Sequence, residues 1–201
     1  MLLVVQYVFE PGHIVDMAWI LPYNIRMDIF VIETSDADNI KPELLEEFKR
    51  KEISDTRKLK EHCLSYLMAD LILKEFYAVK DREIVFEGRK PILKSGKKFF
   101  GISHSGEYIV LGFSDSNCGI DAEKVKTRNF KKIAKRMGFN CGTLEEFYGE
   151  WTKYESEYKL GKTAQILKIF RFGDYIISAV SENPAETFEI YIQSGEIIPE
   201  G

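Results

Sequence analysis

Two acids two residues apart, Asp121 and Glu123, and a third acid one helical turn before a lysine, Glu155 and Lys159, are the residues of this 201-residue chain best suited to do chemistry. Ile120-Asp121-Ala122-Glu123 reads as a strand, on which alternate side chains leave the same face. Two like charges that close repel unless a cation sits between them. Trp151–Lys159 reads as a helix, so Glu155 and Lys159 share a face. Three carboxylates beside a lysine suit a hard divalent cation holding a phosphate, because Mg²⁺ is typically bound by one or two carboxylates together with phosphate oxygens and water. Each motif alone has a bland alternative. An isolated D-x-E is an ordinary solvent-facing pair, and an i,i+4 Glu–Lys pair on a surface contributes only about 0.3–0.5 kcal/mol. A third element, Ser103-His104-Ser105-Gly106, reads as a tight corner joined to Asp121 by a strand–turn–strand. A histidine and hydroxyls at such a corner, with backbone N–H groups, can bind a phosphate. The bland alternative is a turn residue satisfied by backbone.

These groups need elements to carry them. Arg26–Thr34 reads as a first strand, and Asp36-Ala37-Asp38 as a turn into a helix over 41–51. A longer helix over 55–76 repeats apolar residues at helical spacing, with Asp55 as its cap. Ile84–Phe86 is a short strand, and Gly88-Arg89-Lys90-Pro91 a turn. Strands are expected at Phe99–Ser103, Tyr108–Phe113 and Cys118–Glu123, and a short basic helix at Asn129–Met137. Thr143-Leu144-Glu145-Glu146 is a capping box that opens a helix running to Leu160, where Gly161 can end it. Its apolar line is Leu144, Phe147, Trp151, Tyr154 and Tyr158. Late strands are expected at Tyr175–Val180 and Thr187–Ile192. Strands and helices mix without regular βαβ alternation, which points to an α+β fold with mainly antiparallel sheets.

Composition narrows the class. Hydrophobic residues are 45% and charged residues 30%, as in ordinary soluble domains. The net charge of −4 supplies no global field for nucleic acid. Cys63, Cys118 and Cys141 lack metal-ligand spacing and read as reduced, structural thiols, which favours the cytoplasm. The apolar start, Met1–Val8, is interrupted by Glu10-Pro11-Gly12 and is neither a signal peptide nor a membrane span. Residues 1–25 read either as an extra strand or as an extension ahead of a start at Met27.

FGISHSGEYIVLGF, GIDAEKV and WTKYESEYK resemble, in order and spacing, the signature blocks of the Sfp-type 4′-phosphopantetheinyl transferases (F-N-I-S-H-S, G-I-D-x-E and W-[ST]-x-K-E-[SA]-x-x-K). Gly88-Arg89-Lys90-Pro91 resembles that family's G-K-P segment, and Gly173–Glu182 its terminal strand. The resemblance implies two pseudo-symmetric α+β halves with coenzyme A in the cleft between them, divided near Ser116–Asn117 into 1–116 and 117–201. It implies that Asp121, Glu123 and Glu155 hold Mg²⁺ on the coenzyme A pyrophosphate. Ser103 and His104 would contact coenzyme A phosphates, Lys90 and Pro91 would lie along the adenosine, and Lys159 would neutralise the pyrophosphate. Glu155 would also take a proton from the acceptor serine.

The activity so implied moves phosphopantetheine from coenzyme A to a serine of an apo acyl- or peptidyl-carrier protein, releasing adenosine 3′,5′-bisphosphate. Such an enzyme works as a monomer, with no membrane or nucleic-acid partner. Between Lys124 and Arg136 the chain carries seven basic residues and no acid, a stretch suited to steering an acidic carrier protein. The chain departs from the family pattern at Tyr154, where a lysine is usual, and at Gly101, where an asparagine is usual. Ser65 stands near the family's arginine for the 3′-phosphate, a charge that Arg57, Lys58 or Lys60 would otherwise supply. Two alternatives stay open: a non-catalytic coenzyme A or carrier-protein binding module, and a different metal-dependent phosphoryl enzyme.

Overall fold

The computed structural model describes residues 2–7, 26–34, 37, 53, 55–88 and 90–193. The helix expected over 41–51 lies outside the described residues. Ten strands and three helices are described: β1 (Leu2–Tyr7), β2 (Arg26–Glu33), α1 (Thr56–Leu71), β3 (Ile84–Glu87), β4 (Lys90–Leu93), β5 (Phe99–Ser105), β6 (Tyr108–Ser114), β7 (Cys118–Lys124), α2 (Phe130–Met137), α3 (Leu144–Leu160), β8 (Ile166–Phe172), β9 (Tyr175–Ser181) and β10 (Thr187–Gln193). The α+β expectation holds, with most strand pairs antiparallel. The exceptions surround β10, which runs parallel to both β1 and β2 in a five-stranded sheet ordered β1-β10-β2-β6-β5. Part of 1–25 is therefore an extra strand. A second sheet is ordered β7-β9-β8, and β3–β4 is a hairpin.

The layers follow from which faces are apolar. One face of the first sheet packs Phe30, Ile32, Phe100, Leu111 and Phe113 against Leu64, Met68 and Leu73 from α1 and its continuation. The other packs Met27, Ile29, Val31 and Val110 against Ile120, Ala122, Ile177 and Ala179 of the second sheet. The far face of the second sheet is covered by α2 and α3 through Ala134, Phe147, Tyr148 and Ile176. Burial on both faces explains why β2 reads as a near-continuous apolar run.

Local signals place the helices well. Asp55 caps α1 by accepting from the Lys58 N–H at 2.9 Å, and the helix widens into a π turn over Ile72–Phe76. The Thr143–Glu146 capping box is present, and α3 ends on Gly161 at φ 82°. Its buried face differs from the expected apolar line. Tyr154 and Tyr158 are exposed, at 44% and 73%, whereas Tyr148, Thr152, Ser156 and Leu160 are buried. The helix is seated so close to β7 that small and hydroxyl side chains must face it. A Cβ on Gly119 would lie 2.1 Å from the Ser156 carbonyl oxygen. Strand β8 was not legible because its outward residues include Leu167 and Ile169, which hide the alternation.

Beneath α1, Asp28 sits buried within β2, accepting from the Tyr77 hydroxyl at 2.5 Å and pairing with Arg26 at 2.9 Å. Burial outweighs these partners and pushes its carboxyl up to about 6. The folded state thus binds a proton there between about pH 4 and 6 that the unfolded chain releases. The Asp28 contribution is full below pH 4 and is lost as pH rises through 6, a swing of up to about 3 kcal/mol. Urea unfolding at pH 4, 5, 6 and 7 should show wild type losing stability across this window relative to Asp28→Asn; parallel pH profiles would contradict the assignment.

Candidate active site

Gly119, Asp121 and Glu123 alternate along β7 and share the face that α3 covers. At Gly119 the two backbones nearly touch. One step on, Asp121 Oδ1 accepts from Lys159 Nζ at 2.7 Å. A further step on, Glu123 lies near the Trp151 side chain of α3. The strand's period of two and the helix's rise thus bring GIDAE and WTKYESEYK together, as their types suggested. Trp151, read from sequence as core, is half-buried and packs against the Phe147 cluster.

Three ammonium hydrogens are available to Lys159, and three acceptors receive them: Asp121 Oδ1, the Ile120 carbonyl at 3.0 Å and the Ile102 carbonyl at 3.2 Å. The lysine therefore bridges β5, β7 and Asp121. Asp121 Oδ1 also accepts from Ser103 Oγ at 2.9 Å. Its other oxygen, Oδ2, is buried with no hydrogen-bond partner. A bare buried carboxylate oxygen is costly unless something else satisfies it.

Glu123 and Glu155 both feel Asp121. Each carboxyl is pushed up, first by burial and then in part by the Asp121 charge. For Glu123 this is opposed by Ser105 and Trp151, and for Glu155 by Lys159. The acids are thus one electrostatic group. Among the described residues, no group of three or more Asp, Glu, His or Cys side chains is placed so that together they could hold a metal ion. The donor set nevertheless fits Mg²⁺, which needs only one or two carboxylates when a substrate supplies phosphate oxygens, and Asp121 Oδ2 is an oxygen awaiting such a partner.

Lys90, Pro91, Glu155 and Lys159 line one groove of about 970 Å³, together with Lys94, Lys98, Asn117 and Tyr158. That is room for a cofactor-sized ligand. Lys90 donates to Asn117 Oδ1 at 2.6 Å, and Asn117 Nδ2 donates to the Leu160 carbonyl, so the groove floor is tied to the end of α3. Four lysines and Glu87, Glu155 and Glu182 line the groove, and Lys94, Lys98 and Lys159 are paired there with Glu83, Asp115 and Asp121.

Ser103, His104, Asp121 and Glu123 are not on that lining. Asp121 is joined to it through Lys159. His104 is not in a corner: it is the penultimate residue of β5, and the turn is Gly106-Glu107, with Gly106 at φ 58°. Adjacent residues of a strand leave opposite faces, so His104 points towards Glu61 and His62 of α1 while Ser103 points towards β7. His104 is exposed. The surrounding protein still disfavours its charge, and with Lys159 and His62 nearby its pKa is lowered to about 4, so the ring is neutral at neutral pH. Ser65 is fully buried and donates to the His62 carbonyl at 2.7 Å.

Ser105, read from sequence as a corner hydroxyl for phosphate, instead serves an acid of this site, and Gly119 was not singled out for a role of its own. Ser105 donates to Glu123 Oε2 at 2.9 Å, and Gly119 sets the helix on the strand. A matching i,i+2 spacing in Ser103/Ser105 and Asp121/Glu123 was the available signal for the first.

No family model matches the chain. It is similar to the 4′-phosphopantetheinyl transferase psf-1 of Bacillus pumilus, at 37% identity over 91 residues, a stretch that covers 43% of this chain and 38% of that protein's length.

Proposed function

We propose that this chain is a 4′-phosphopantetheinyl transferase of the Sfp type that moves phosphopantetheine from coenzyme A to a serine of an apo carrier protein. The observation that carries this reading is Asp121: a buried carboxylate with one oxygen saturated, the other bare, coupled to Glu123 and Glu155 and linked by Lys159 to a lysine-rich groove. The similarity to a named transferase supports it. Coenzyme A is the pyrophosphate ligand of the groove in this reading, with Lys90 and Pro91 along its nucleotide and the groove's ammonium groups around its phosphates. Asp121, Glu123 and Glu155 would hold Mg²⁺, which supplies charge neutralisation of the pyrophosphate and of the departing oxygen. Glu155, its carboxyl raised by burial and by Asp121, faces the groove and takes the serine proton. Lys159, paired with Asp121, would supply positive charge at the pyrophosphate without a proton transfer.

Incubation of the protein with coenzyme A, Mg²⁺ and several apo carrier proteins tests the proposal by mass spectrometry. A phosphopantetheine adduct on a carrier serine is expected. Coenzyme A binding without any adduct would instead favour the non-catalytic module, the reading that exposed Tyr154, in place of the usual lysine, motivates.

The basic stretch forms α2 and its approach, where Lys126, Arg128, Lys131, Lys132, Lys135 and Arg136 are all exposed. This face is the proposed steering surface for an acidic carrier. Raising the salt from 50 to 500 mM should lower kcat/KM for the carrier about tenfold, and Lys131→Glu with Lys135→Glu should remove most of that salt dependence. Unchanged salt dependence in the double variant would reject α2 as the docking face.

A further inference from the structure

Strands β5 and β7 are edge strands of different sheets and share no ladder, yet they run side by side. Two serines join them in the same way. Ser103 Oγ accepts from the Ala122 N–H at 3.1 Å and donates to Asp121 at 2.9 Å. Ser105 Oγ accepts from the Lys124 N–H at 2.9 Å and donates to Glu123 at 2.9 Å. Each hydroxyl thus satisfies an N–H that β7 turns away from its own ladder, and uses its proton on the acid just before that N–H. The repeat is strict: serines two apart on β5 match acids two apart on β7. Gly101, two residues earlier on the same face, permits the approach, because a Cβ there would lie 3.1 Å from Ile120 Cγ2 and 3.4 Å from the Ile120 nitrogen.

We infer that Ser103 and Ser105 are positioning residues, a pair of side-chain rungs that fix the register of β5 on β7 and aim the two acids. The inference rests on the proposed function for what the acids do, but its geometry does not. With its lone pair and proton both engaged, Ser103 acts through Asp121: it fills Oδ1 jointly with Lys159 and leaves Oδ2 the single oxygen presented to a ligand. Ser105 does the same for Glu123, by holding Oε2. A slip of one residue between the strands would send both hydroxyls to the opposite face and free both acids at once. Any side chain at position 101 would be brought against Ile120.

The test compares wild type with Ser103→Ala, Ser105→Ala and Ser105→Thr. Ser105 is half-buried, so its alanine variant probes the rung without opening the core. Two readouts are needed: Mn²⁺ affinity by calorimetry in the presence of coenzyme A, and the split of transfer kinetics into kcat and KM. Partners that orient metal ligands typically change metal affinity or rate about 10–100-fold when removed. Both alanine variants should lose Mn²⁺ affinity and kcat by about that factor, with KM for coenzyme A changing less than twofold. Ser105→Thr, which restores the hydroxyl, should recover most of both. A rise in KM for coenzyme A with Mn²⁺ affinity unchanged would overturn the inference and make the serines phosphate contacts. An alanine variant equal to wild type in both readouts would overturn it as well. If wild type itself binds no Mn²⁺, the failure lies with the proposed metal chemistry; the rungs are then judged by whether Ser105→Ala lowers the melting temperature and Ser105→Thr restores it.

Discussion

Asp121→Asn is expected to abolish phosphopantetheine transfer, by about 10³-fold or more, in a protein that remains folded. The loss follows from charge. A carboxylate that neutralises a pyrophosphate through a cation contributes several kcal/mol to the transition state, and each ~1.4 kcal/mol is a factor of ten. The fold survives because asparagine keeps an acceptor at the position of Oδ1 for Ser103 and Lys159, and Lys159 retains the Ile102 and Ile120 carbonyls. Removing the charge also relieves Glu123 and Glu155, whose carboxyls are held up in part by Asp121. The melting temperature should therefore stay within about 4 °C of wild type or rise. Scanning calorimetry and the transfer assay on the same sample decide it. Turnover within tenfold of wild type would contradict the role assigned to Asp121.

Gly119→Ala is expected to lower stability by about 3 kcal/mol and to reduce transfer at least tenfold in the molecules that still fold. The new Cβ would meet the Ser156 carbonyl oxygen at 2.1 Å and the Leu160 nitrogen at 2.9 Å. Both are helix backbone and cannot swing aside as a side chain would, so α3 must lift from β7. That movement separates Lys159 from Asp121 and Glu155 from the acid pair. Gly149→Ala is the internal control. It lies in the same helix, and its Cβ would meet nothing within 4 Å. An alanine there should stabilise α3 by about 0.5–1 kcal/mol. Urea denaturation of the two variants should move in opposite directions; equal behaviour would show that the tight seat is not real.

What the sequence revealed and what it hid have physical reasons. Period two placed Asp121 and Glu123 on one face, and the four-residue helical step placed Glu155 and Lys159 beside them, because both are local rules that tertiary packing did not override. Caps at Asp55, Thr143 and Gly161 were legible for the same reason. The buried face of α3 was not. Aromatic spacing favoured Trp151, Tyr154 and Tyr158, but a close helix–strand seat selects small side chains, and only the three-dimensional approach at Gly119 reveals that seat. The insertion of β10 between β1 and β2 joins residues far apart in the chain, which no local pattern encodes. The engagement of Ser103 and Lys159 with Asp121 was likewise invisible, since residue type alone does not say which partner a hydroxyl or ammonium has already taken.

The central claim is that Asp121 Oδ2 is the oxygen through which this chain grips a divalent cation on a pyrophosphate. Anomalous diffraction from crystals grown with Mn²⁺ and coenzyme A measures this directly. A peak bonded to Asp121 Oδ2, with Glu123 or Glu155 and a coenzyme A phosphate as further ligands, is the expected result. Coenzyme A seated in the Lys90–Lys159 groove, with the metal peak elsewhere and Asp121 Oδ2 still bare, would contradict it.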